Sequence, residues 1–520
     1  MDKLLVEFLR GLGYTEINDS MSTHINTWES WYKGKVRGFH DYKVYNSGKH
    51  IPQERKSLQL GKSITEQMAN MLYSHNCKIT VSDPATDDFF QKVYKQNNMQ
   101  TKLNESQERK SAYGTVAYIP YYANGTVKMN YVTARNLIPL SFENGIISEL
   151  AVYSTLTHGG KECFFMQLFV QKKCTCQCCC DDDCMCRCLC EDLGEYLVLN
   201  MVLEPDEKGE QLSIIDLKNV PSLKNLAKEV DTHSLRPPFV IDRLNIANNI
   251  DIDNPLGLAL FANAIDTMQG IDIAYDSLVN EFILGKKRVM VSTEAMNIAN
   301  GEPVFDTNEI VFYQLPQGLD MDGNPFVKEM DFTLRVQDHE AALQLKLNKF
   351  SSQVGFGENF YRYSDRSITT ATQVVSENNV MLRTIKKHET LLEETLQALV
   401  RLIISIGIRH NLAENLKLDA DVIIKFDDSI MEDKGTEIQR RLGEVSAGLL
   451  DPVEYMMWRY GLPKQDAILK MPQMEEAQEL SSLGLDKDKI NMIKLMQMLP
   501  AEIQNKLMSE IEAEIAKGED

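Results

Sequence analysis

The chain has 520 residues, a length at which more than one packed unit is expected. Apolar residues make up 43% of it and charged residues 25%, which is typical of a folded protein. Its formal net charge of −20 disfavours tight, static binding to nucleic acid, because proteins that neutralise phosphates are basic. The longest apolar stretch, Ala398 to Ile408, contains Arg401 and is shorter than the roughly 20 residues of a membrane span, so no membrane partner is predicted.

The first hundred residues are predicted to be mainly helical. The N-terminal run MDKLLVEFLRGLGY carries charges within its apolar pattern and lacks a cleavage site, so it predicts an amphipathic helix and a chain that stays in the cytoplasm. A second helix is predicted from Lys56 to Ser74, and a short strand from Lys78 to Val81. Trp28, Trp31 and Tyr32 are interpreted as anchors of a core rather than as ligand-binding residues.

From Gly114 to about Leu217 the sequence changes to alternating, β-branched and aromatic runs, which predict a β-rich domain. Asn124 and Gly125 lie between two such runs and predict the turn of a β-hairpin, because both residue types accept positive φ angles.

Nine of the eleven cysteines lie in one run, CTCQCCCDDDCMCRCLC. Their repeated C-x-C spacing could hold zinc or another soft metal between thiolates. The alternative is a peripheral insertion at the tip of a β-hairpin, because its deletion joins the β-rich runs FFMQLFVQKK and EYLVLNMVLE. Disulfides are less expected, since the rest of the chain is typical of a reducing compartment. The candidate metal ligands are Cys174, Cys176, Cys178, Cys179, Cys180, Cys184, Cys186, Cys188 and Cys190.

The helical pattern returns at Asn254, which is predicted to cap a helix that has Pro255 at its first position and ends near Leu284. Apolar residues recur in it every three or four positions, so it should pack along one stripe. Three aspartates predict an acidic face on the same helix, namely Asp266, Asp272 and Asp276.

The second half of the chain alternates strand-like and helical segments. The segment from Val289 to Asp331 is strand-like and rich in turns, and a second helix is predicted from Thr333 to Val354. A capping-box pattern at Thr370 predicts a very long helix that reaches His410 and extends roughly 60 Å. A strand, Asp421 to Phe426, is predicted to return to the β-region.

Five blocks of sequence resemble the portal proteins of long-tailed, double-stranded DNA bacteriophages. INTWESWYKG at Ile25 to Gly34 is similar to the family's Trp-x-x-Trp-Tyr-x-Gly pattern, and RKSLQLGKSITEQMANMLYSHNCKITV follows at Arg55 to Val81. The longest block runs from Asn254 to Val291, and the block beginning VGFGENFYRYSDRS runs from Val354 to Glu389. The last, from Phe426 to Leu462, includes GEVSAGLLDPVEYMMWRYGL. The resemblance covers nearly all of the chain except the cysteine run and the C-terminal tail.

The resemblance implies an α+β portal fold, assembled as a ring that usually contains twelve subunits around a DNA channel. Each region of the family fold can be placed on this sequence. They are the wing (1–253, with the cysteine-rich insertion at 174–190), a stem helix (254–284), the clip (285–332), a second stem helix (333–354), the tunnel loop (355–369), the long wing helix with the returning strand and further helices (370–471), and the crown (472–520).

In function, the resemblance implies a non-enzymatic portal vertex through which double-stranded DNA is packaged into and ejected from the capsid. Its expected partners are further copies of itself, the terminase large subunit, the head-tail adaptor, and the major capsid and scaffolding proteins. Its expected locations are the capsid portal vertex of the virion and, during assembly, the host cytoplasm.

Two groups of residues are candidates for contact with DNA. In the tunnel loop, planar and cationic side chains could touch a passing backbone, namely Phe360, Tyr361, Arg362, Tyr363 and Arg366. Near the stem, cations could make brief contacts with phosphates, namely Lys286, Lys287, Arg288, Lys346 and Lys349. Without the resemblance, both groups would be interpreted as an ordinary exposed loop and solvated charges.

No catalytic residues are predicted, and no cofactor other than the metal considered above. Gly61, Lys62 and Ser63 resemble the end of a phosphate-binding loop, but Lys56 stands where that loop requires a glycine. The competing hypotheses are a nucleic-acid motor or nuclease, which would hydrolyse ATP or cut DNA, and a metal-binding regulatory protein built around the cysteine run.

Overall fold

The structure is a computed structural model. It describes residues 3–46, 49–172, 194–284, 288–292, 312–315, 327–330, 333–358, 360–361, 371–427, 434–461, 463–464 and 466–468. Contacts divide the chain into two compact units, Met1–Asp427 and Asp428–Asp520. Helices and mainly antiparallel sheets occur together, which confirms the predicted α+β class. None of the helices in the described ranges combines the length and the apolar character that crossing a membrane requires.

The helices of the first unit are α1 (Lys3–Gly11), α2 (Met21–Tyr32), α3 (Leu60–Leu72), α4 (Pro84–Gln96), α5 (Met99–Tyr113), α6 (Ile265–Leu284), α7 (Val336–Gln353) and α8 (Ala371–Arg409). Its strands are β1 (Asp41–Asn46), β2 (Lys49–Glu54), β3 (Lys78–Val81), β4 (Thr115–Ala123), β5 (Thr126–Thr133), β6 (Leu137–Glu143), β7 (Ile146–His158), β8 (Lys161–Gln171), β9 (Tyr196–Pro205), β10 (Leu212–Ile215), β11 (Glu229–Asp231), β12 (Val240–Arg243), β13 (Arg288–Ser292), β14 (Phe312–Leu315), β15 (Val327–Met330) and β16 (Val422–Lys425).

The N-terminal helices pack as the sequence predicts. Helix α1 buries Leu5, Val6 and Leu9 in the core of the large β-sheet, so its amphipathic pattern is confirmed. Trp28 and Trp31 of α2 are 0% and 2% exposed, which confirms that they are core anchors.

The prediction of helix for the first hundred residues is wrong between α2 and α3. There, β1 and β2 form an antiparallel hairpin in which Val44 pairs with Ile51 and Tyr45 with His50. The physical reason is local, because strand-favouring residues occupy the paired positions, namely Val44, Tyr45 and Ile51. This hairpin pairs with no other described strand and exposes its side chains.

Two antiparallel sheets form the predicted β-rich region. The larger has the order β10-β9-β8-β7-β6, with β11 also pairing with β9, and the smaller has the order β12-β4-β5. Asn124 and Gly125 join β4 to β5 with φ angles of 52° and 75°, which confirms the predicted turn.

The flanks of the cysteine run pair as a hairpin. Strands β8 and β9 are antiparallel and stay in register up to the pair Gln171 and Tyr196. One step further, the amide of Lys172 donates to the carbonyl of Glu195 at 2.8 Å. The prediction that these flanks pair is therefore confirmed, and the nine cysteines themselves lie outside the described residues.

The predicted helix start at Asn254 and Pro255 is wrong, since α6 begins at Ile265. The Asn254 side chain accepts a hydrogen bond from the amide of Leu256 at 3.0 Å, as a cap would, but no α-helix follows directly. The amide of Gly257 donates to Oγ1 of Thr115 at 2.8 Å. Further along, the amide of Leu260 donates to the carbonyl of Ser111 at 2.8 Å, whereas in a helix it would bond to the carbonyl of Leu256. The predicted stem helix therefore lacks residues 254–264, of which 254–261 are buried.

Further along the first unit, most predicted elements are observed. Helices α7 and α8 have 18 and 39 residues, close to the predicted bounds. The described parts of the segment between α6 and α7 form a three-stranded sheet in the order β14-β13-β15, as the strand-like sequence predicts. The returning strand β16 is also confirmed, and it pairs with β3.

The described part of the second unit contains α9 (Lys434–Ser446) and α10 (Pro452–Tyr460). Asp451 caps α10 by accepting a hydrogen bond from the amide of Val453 at 2.9 Å, with Pro452 at the first helical position. The Arg441 guanidinium lies 4.2 Å from the centre of the Trp458 ring and joins the two helices.

Candidate functional site

The loop that follows α7 begins with a tight, buried turn. Gly355 and Gly357 have φ angles of 84° and 80°, which glycine adopts without strain. A Cβ on Gly355 would lie 2.8 Å from Oγ1 of Thr384 in α8, so glycine also permits the loop to approach that helix. Phe356 is buried, and its amide donates to the carbonyl of Ser351 at 2.9 Å. The start of the predicted tunnel loop is therefore fixed between α7 and α8.

Phe360 and Tyr361 of the tunnel loop are half-buried and pack on the protein itself. The Phe360 ring lies edge-on to Phe356, with 4.7 Å between ring centres. The Tyr361 carbonyl accepts a hydrogen bond from Gln344 of α7 at 2.8 Å, and its hydroxyl lies 3.3 Å from Oγ of Ser63 in α3. These contacts hold the first part of the loop against two helices. The other predicted loop contacts lie outside the described residues, namely Arg362, Tyr363 and Arg366.

Helices α6 and α7 lie antiparallel and are joined near both ends. At one end, Oγ1 of Thr267 donates to Oε1 of Gln353 at 2.7 Å. At the other, Arg335 donates to both carboxylate oxygens of Glu281 at 3.1 and 3.0 Å. The hydrogen bonds from Arg335 lower the pKa of the Glu281 carboxyl to about 2. The helix pair therefore has a fixed register.

Two of the predicted phosphate contacts lie on α7, where Lys346 and Lys349 are both exposed. A Cβ on Gly270 of α6 would lie 3.0 Å from Nζ of Lys346, so this ammonium group lies against the α6 backbone. No carboxylate in the described ranges forms an ion pair with either lysine. Lys286 and Lys287 lie outside the described residues, and of Arg288, the first residue of β13, only the backbone is described.

The predicted acidic face of α6 is largely buried, which the sequence pattern did not indicate. Asp272 is 2% exposed and accepts hydrogen bonds from Nε2 of His40 at 3.0 Å, from Oγ of Ser57 at 2.9 Å and from the amide of Leu58 at 3.0 Å. His40 carries its hydrogen on Nε2, because its Nδ1 accepts a hydrogen bond from a backbone amide. Asp276 likewise accepts from the amide of Lys56. Two of the three aspartates therefore attach the preceding region of the chain to α6, and only Asp266 is exposed.

A second buried polar cluster joins the β-rich region to helix α5. Lys110 and Asp242 are 1% and 0% exposed and form an ion pair of 2.9 Å. The Asp242 carboxylate also accepts hydrogen bonds from Tyr118 at 2.7 Å and from Gln107 at 2.8 Å. With these donors the charges are compensated in the core, as a buried pair requires.

Helix α8 is attached next to this cluster by His388, whose Nδ1 accepts a hydrogen bond from the amide of Asn245 at 3.1 Å. Burial, with the positive charges of Lys110 and Lys387, lowers the pKa of His388 to about 3. The imidazole is therefore neutral at pH 7. Neither cluster was predicted as a site, because their members come from distant parts of the sequence.

One group of side chains in the described residues has the donor types of a metal site, namely Glu195, Asp231 and His233. Nζ of Lys172 already lies 3.0 Å from the carboxylate of Glu195 and 2.5 Å from that of Asp231. The Lys172 ammonium group therefore already forms ion pairs with both acids. The group fits an ion-pair network at the base of the β8–β9 hairpin.

Residues 14–479 match the family described as "Phage portal protein, SPP1 Gp6-like". The chain belongs to this phage portal family. The match includes α6, α7, the turn at Gly355 and α8, and the resemblance seen in the sequence is confirmed. Comparison with curated proteins finds none that matches.

Among the solved structures that match this chain, two have low sequence identity and low TM-scores. One is titled "Virion of native gene transfer agent (GTA) particle" and has 11% identity and a TM-score of 0.37. The other is titled "Neck of empty GTA particle computed with C6 symmetry" and has 10% identity and a TM-score of 0.38. Each match covers 78% of this chain and 90% of the other.

Membership of the portal family gives the chain a structural role, as a portal or connector component. For such a role, the relevant geometry is the α6–α7 pair, the loop turn at its end and the long helix α8 behind it. The structure brings Phe360 and Tyr361 together with α7, the helix that carries Lys346 and Lys349.

Proposed function

We propose that this portal-family chain assembles into a ring, usually of twelve copies, that conducts double-stranded DNA into and out of a phage capsid. The observation that supports it most is the family match, which extends over α6, α7, the loop turn and α8 as one continuous range. In this proposal the α6–α7 pair forms the stem of the channel, and the tunnel loop faces the DNA.

Exposed apolar side chains support assembly with further copies. On the α6–α7 pair, Ile273, Phe282 and Leu345 are 47%, 49% and 72% exposed. Tyr45 on the β1–β2 hairpin is 68% exposed, and an isolated two-stranded hairpin is marginally stable in water. Apolar groups placed on fixed elements in this way are expected to be covered by neighbouring subunits.

A passage for DNA needs weak contacts, because strong neutralisation of phosphates would hold the duplex in place. The net charge of −20 suits passage of DNA rather than its capture. Lys346 and Lys349 provide cations on α7 that no acid of the described chain neutralises. We expect them to make brief contacts with phosphates.

The remaining partners follow from the proposed position of each region. The segment 285–332 is the proposed docking surface for the terminase large subunit during packaging and for the head-tail adaptor afterwards. The outer part of the ring would meet the major capsid and scaffolding proteins. The ring would then be located at the portal vertex of the virion, after assembly in the host cytoplasm.

Electron microscopy of the purified protein tests the proposal directly. We expect annular particles with a central hole wide enough for duplex DNA, and no ATP hydrolysis or DNA cleavage by the same sample. A protein that stays monomeric in every assembly condition, or that hydrolyses ATP or cuts DNA alone, would contradict it and favour a motor or nuclease.

The role of the α7 cations is tested by the double variant Lys346→Ala, Lys349→Ala. The matched control is Lys218→Ala, Lys224→Ala, which removes two exposed lysines from a loop of the β-rich region. We expect normal rings from both, but less DNA packaged or retained per particle with the α7 variant only. Equal DNA content in the two variants would show that the α7 lysines do not contact DNA.

A further inference from the structure

A cavity of about 400 Å³ lies between helix α8 and the β-rich region. Its walls are mainly apolar and include Ile146, Phe239, Leu391 and Leu402. Ile146 is 72% exposed, so the cavity has an apolar side chain at its mouth. The cavity is distant in sequence from the α6–α7 pair and the tunnel loop.

Three arginines lie around this apolar cavity, namely Arg236, Arg243 and Arg401. Arg243 donates to the carbonyl of Pro255 at 3.1 Å, whereas the side chains of Arg236 and Arg401 are exposed. No carboxylate among the residues that the structure describes pairs with any of the three. An apolar cavity can bind an apolar side chain, and guanidinium groups at its rim that no carboxylate pairs with can bind an acid. A segment in which an acid follows an apolar residue would therefore fit this site.

The same chain carries such a group on the loop that precedes α6. Ile252 is 86% exposed, the highest value of any large apolar side chain in the described ranges, and the exposed Asp253 follows it. Asp253 has no ion-pair partner in those ranges. The loop therefore presents an apolar side chain and an unpaired carboxylate side by side.

This loop is held in one conformation. The Asp251 carboxylate accepts hydrogen bonds from Ser20 and, at 2.7 Å, from Asn18. The side chain of Asn248 accepts from the amides of Ile250 and Asp251, both at 3.0 Å. Because the loop is already ordered, docking it would cost little conformational entropy.

We propose that Ile252 of one copy inserts into the arginine-lined cavity of the next copy, where Asp253 pairs with Arg401. This inference rests on the proposed ring. In a cyclic ring each subunit meets its neighbours through two different surfaces, so a protruding group and its cavity must both occur on one chain. Opposite charges at the contact also fix its register between subunits that each carry a net charge of −20.

Charge reversal and exchange test this contact. We expect Asp253→Arg and Arg401→Asp each to lower the association constant of the subunits on the order of tenfold or more, because each places like charges together. The combination of both substitutions is expected to restore rings, since the opposite charges are then exchanged. Ile252→Ser should weaken association without any change of charge. Sedimentation velocity over a range of protein concentrations measures the association, and circular dichroism shows that each variant is folded.

Glu207→Arg is the matched control, because it reverses an exposed acid in a turn of the β-rich region. If the unsubstituted protein forms rings and Asp253→Arg forms them equally well, the contact is contradicted while the ring proposal stands. The contact is also contradicted if Asp253→Arg and Arg401→Asp each weaken association and the combined variant does not restore it. If the unsubstituted protein forms no rings, the proposed function itself fails.

Discussion

His388 shows how a single side chain can make the stability of this protein depend on pH. It is 3% exposed, and its pKa is lowered to about 3 from an ordinary value of 6.5. In the unfolded chain the imidazole would take up a proton near pH 6.5, whereas in the folded protein it remains neutral. The stabilisation from His388 is therefore complete above pH 6.5 and is lost progressively as the pH falls towards 3.

We predict that the free energy of unfolding falls between about pH 7 and about pH 5 by about 2 kcal/mol because of His388. His388→Gln should remove this part of the pH dependence, since glutamine does not titrate. Urea denaturation at the two pH values measures it. The control is His75→Gln, which removes an exposed histidine. An unchanged pH dependence in His388→Gln would show that another group is responsible.

At the scale of elements, Asp272 determines how the N-terminal part of the chain is attached to α6. Asp272→Ala would leave three donors without their acceptor, namely His40, Ser57 and the amide of Leu58. We predict a destabilisation of about 3–5 kcal/mol, because buried donors without acceptors are costly. Hydrogen exchange of residues 56–58 and thermal denaturation measure it.

Asp266→Ala is the control for this prediction, because Asp266 lies on the same helix but is exposed. Its effect should stay within about 0.5 kcal/mol, as is usual for surface substitutions. Similar effects of the two substitutions would mean that the hydrogen bonds of Asp272 contribute little to stability.

The sequence predicts the elements better than their ends. The apolar period of α1, the Asn124–Gly125 turn and the long pattern of α8 are local signals, and all three elements are observed. The start of α6, by contrast, is determined by contacts with residues that are distant in sequence. The amide of Gly257 bonds to Thr115 and a Cβ on Gly257 would lie 2.5 Å from the carbonyl of Gly114, so a distant contact overrides the capping pattern at Asn254.

The candidate site shows the same limit. Family resemblance predicts a tunnel loop at residues 355–369, but not that Phe360 and Tyr361 pack against α7 and α3. The buried roles of Asp272 and Asp276 were also missed, because aspartates at helical spacing more often face solvent. The sequence predicts Ser57 as part of a helix, whereas the structure places it before α3, where its hydroxyl donates to Asp272.

For the whole molecule, the β8–β9 hairpin predicts that the cysteine run is dispensable for assembly. The strands are already closed by the pairing of Lys172 with Glu195, so residues 173–194 can be replaced by an Asn-Gly turn. We expect this variant to form the same rings as the unsubstituted protein, with a melting temperature within a few degrees of it. Electron microscopy and thermal denaturation are the measurements, and loss of rings would show that the insertion contributes to assembly.

The same pair of proteins tests the metal hypothesis for the nine cysteines. Native mass spectrometry and metal analysis should show zinc in the unsubstituted protein and none in the variant if the thiolates hold a soft metal. If both proteins have the mass of the chain without metal, the metal hypothesis is excluded. The cysteine run is then interpreted as a peripheral insertion.

Helix α8 gives the molecule a mechanical property that follows from its length alone. It is held near its middle by the hydrogen bonds that Asn245 donates to His388 and to the carbonyl of Lys387. Its N-terminal end, next to the predicted tunnel loop, lies 17 residues from His388, or about 25 Å. A tilt of about 10° about that pivot would move the loop end by roughly 4 Å, close to the roughly 3.4 Å between successive base pairs. In the proposed ring, a small rotation at the outside would thus be transmitted by α8 into a displacement of about one base-pair step at the DNA.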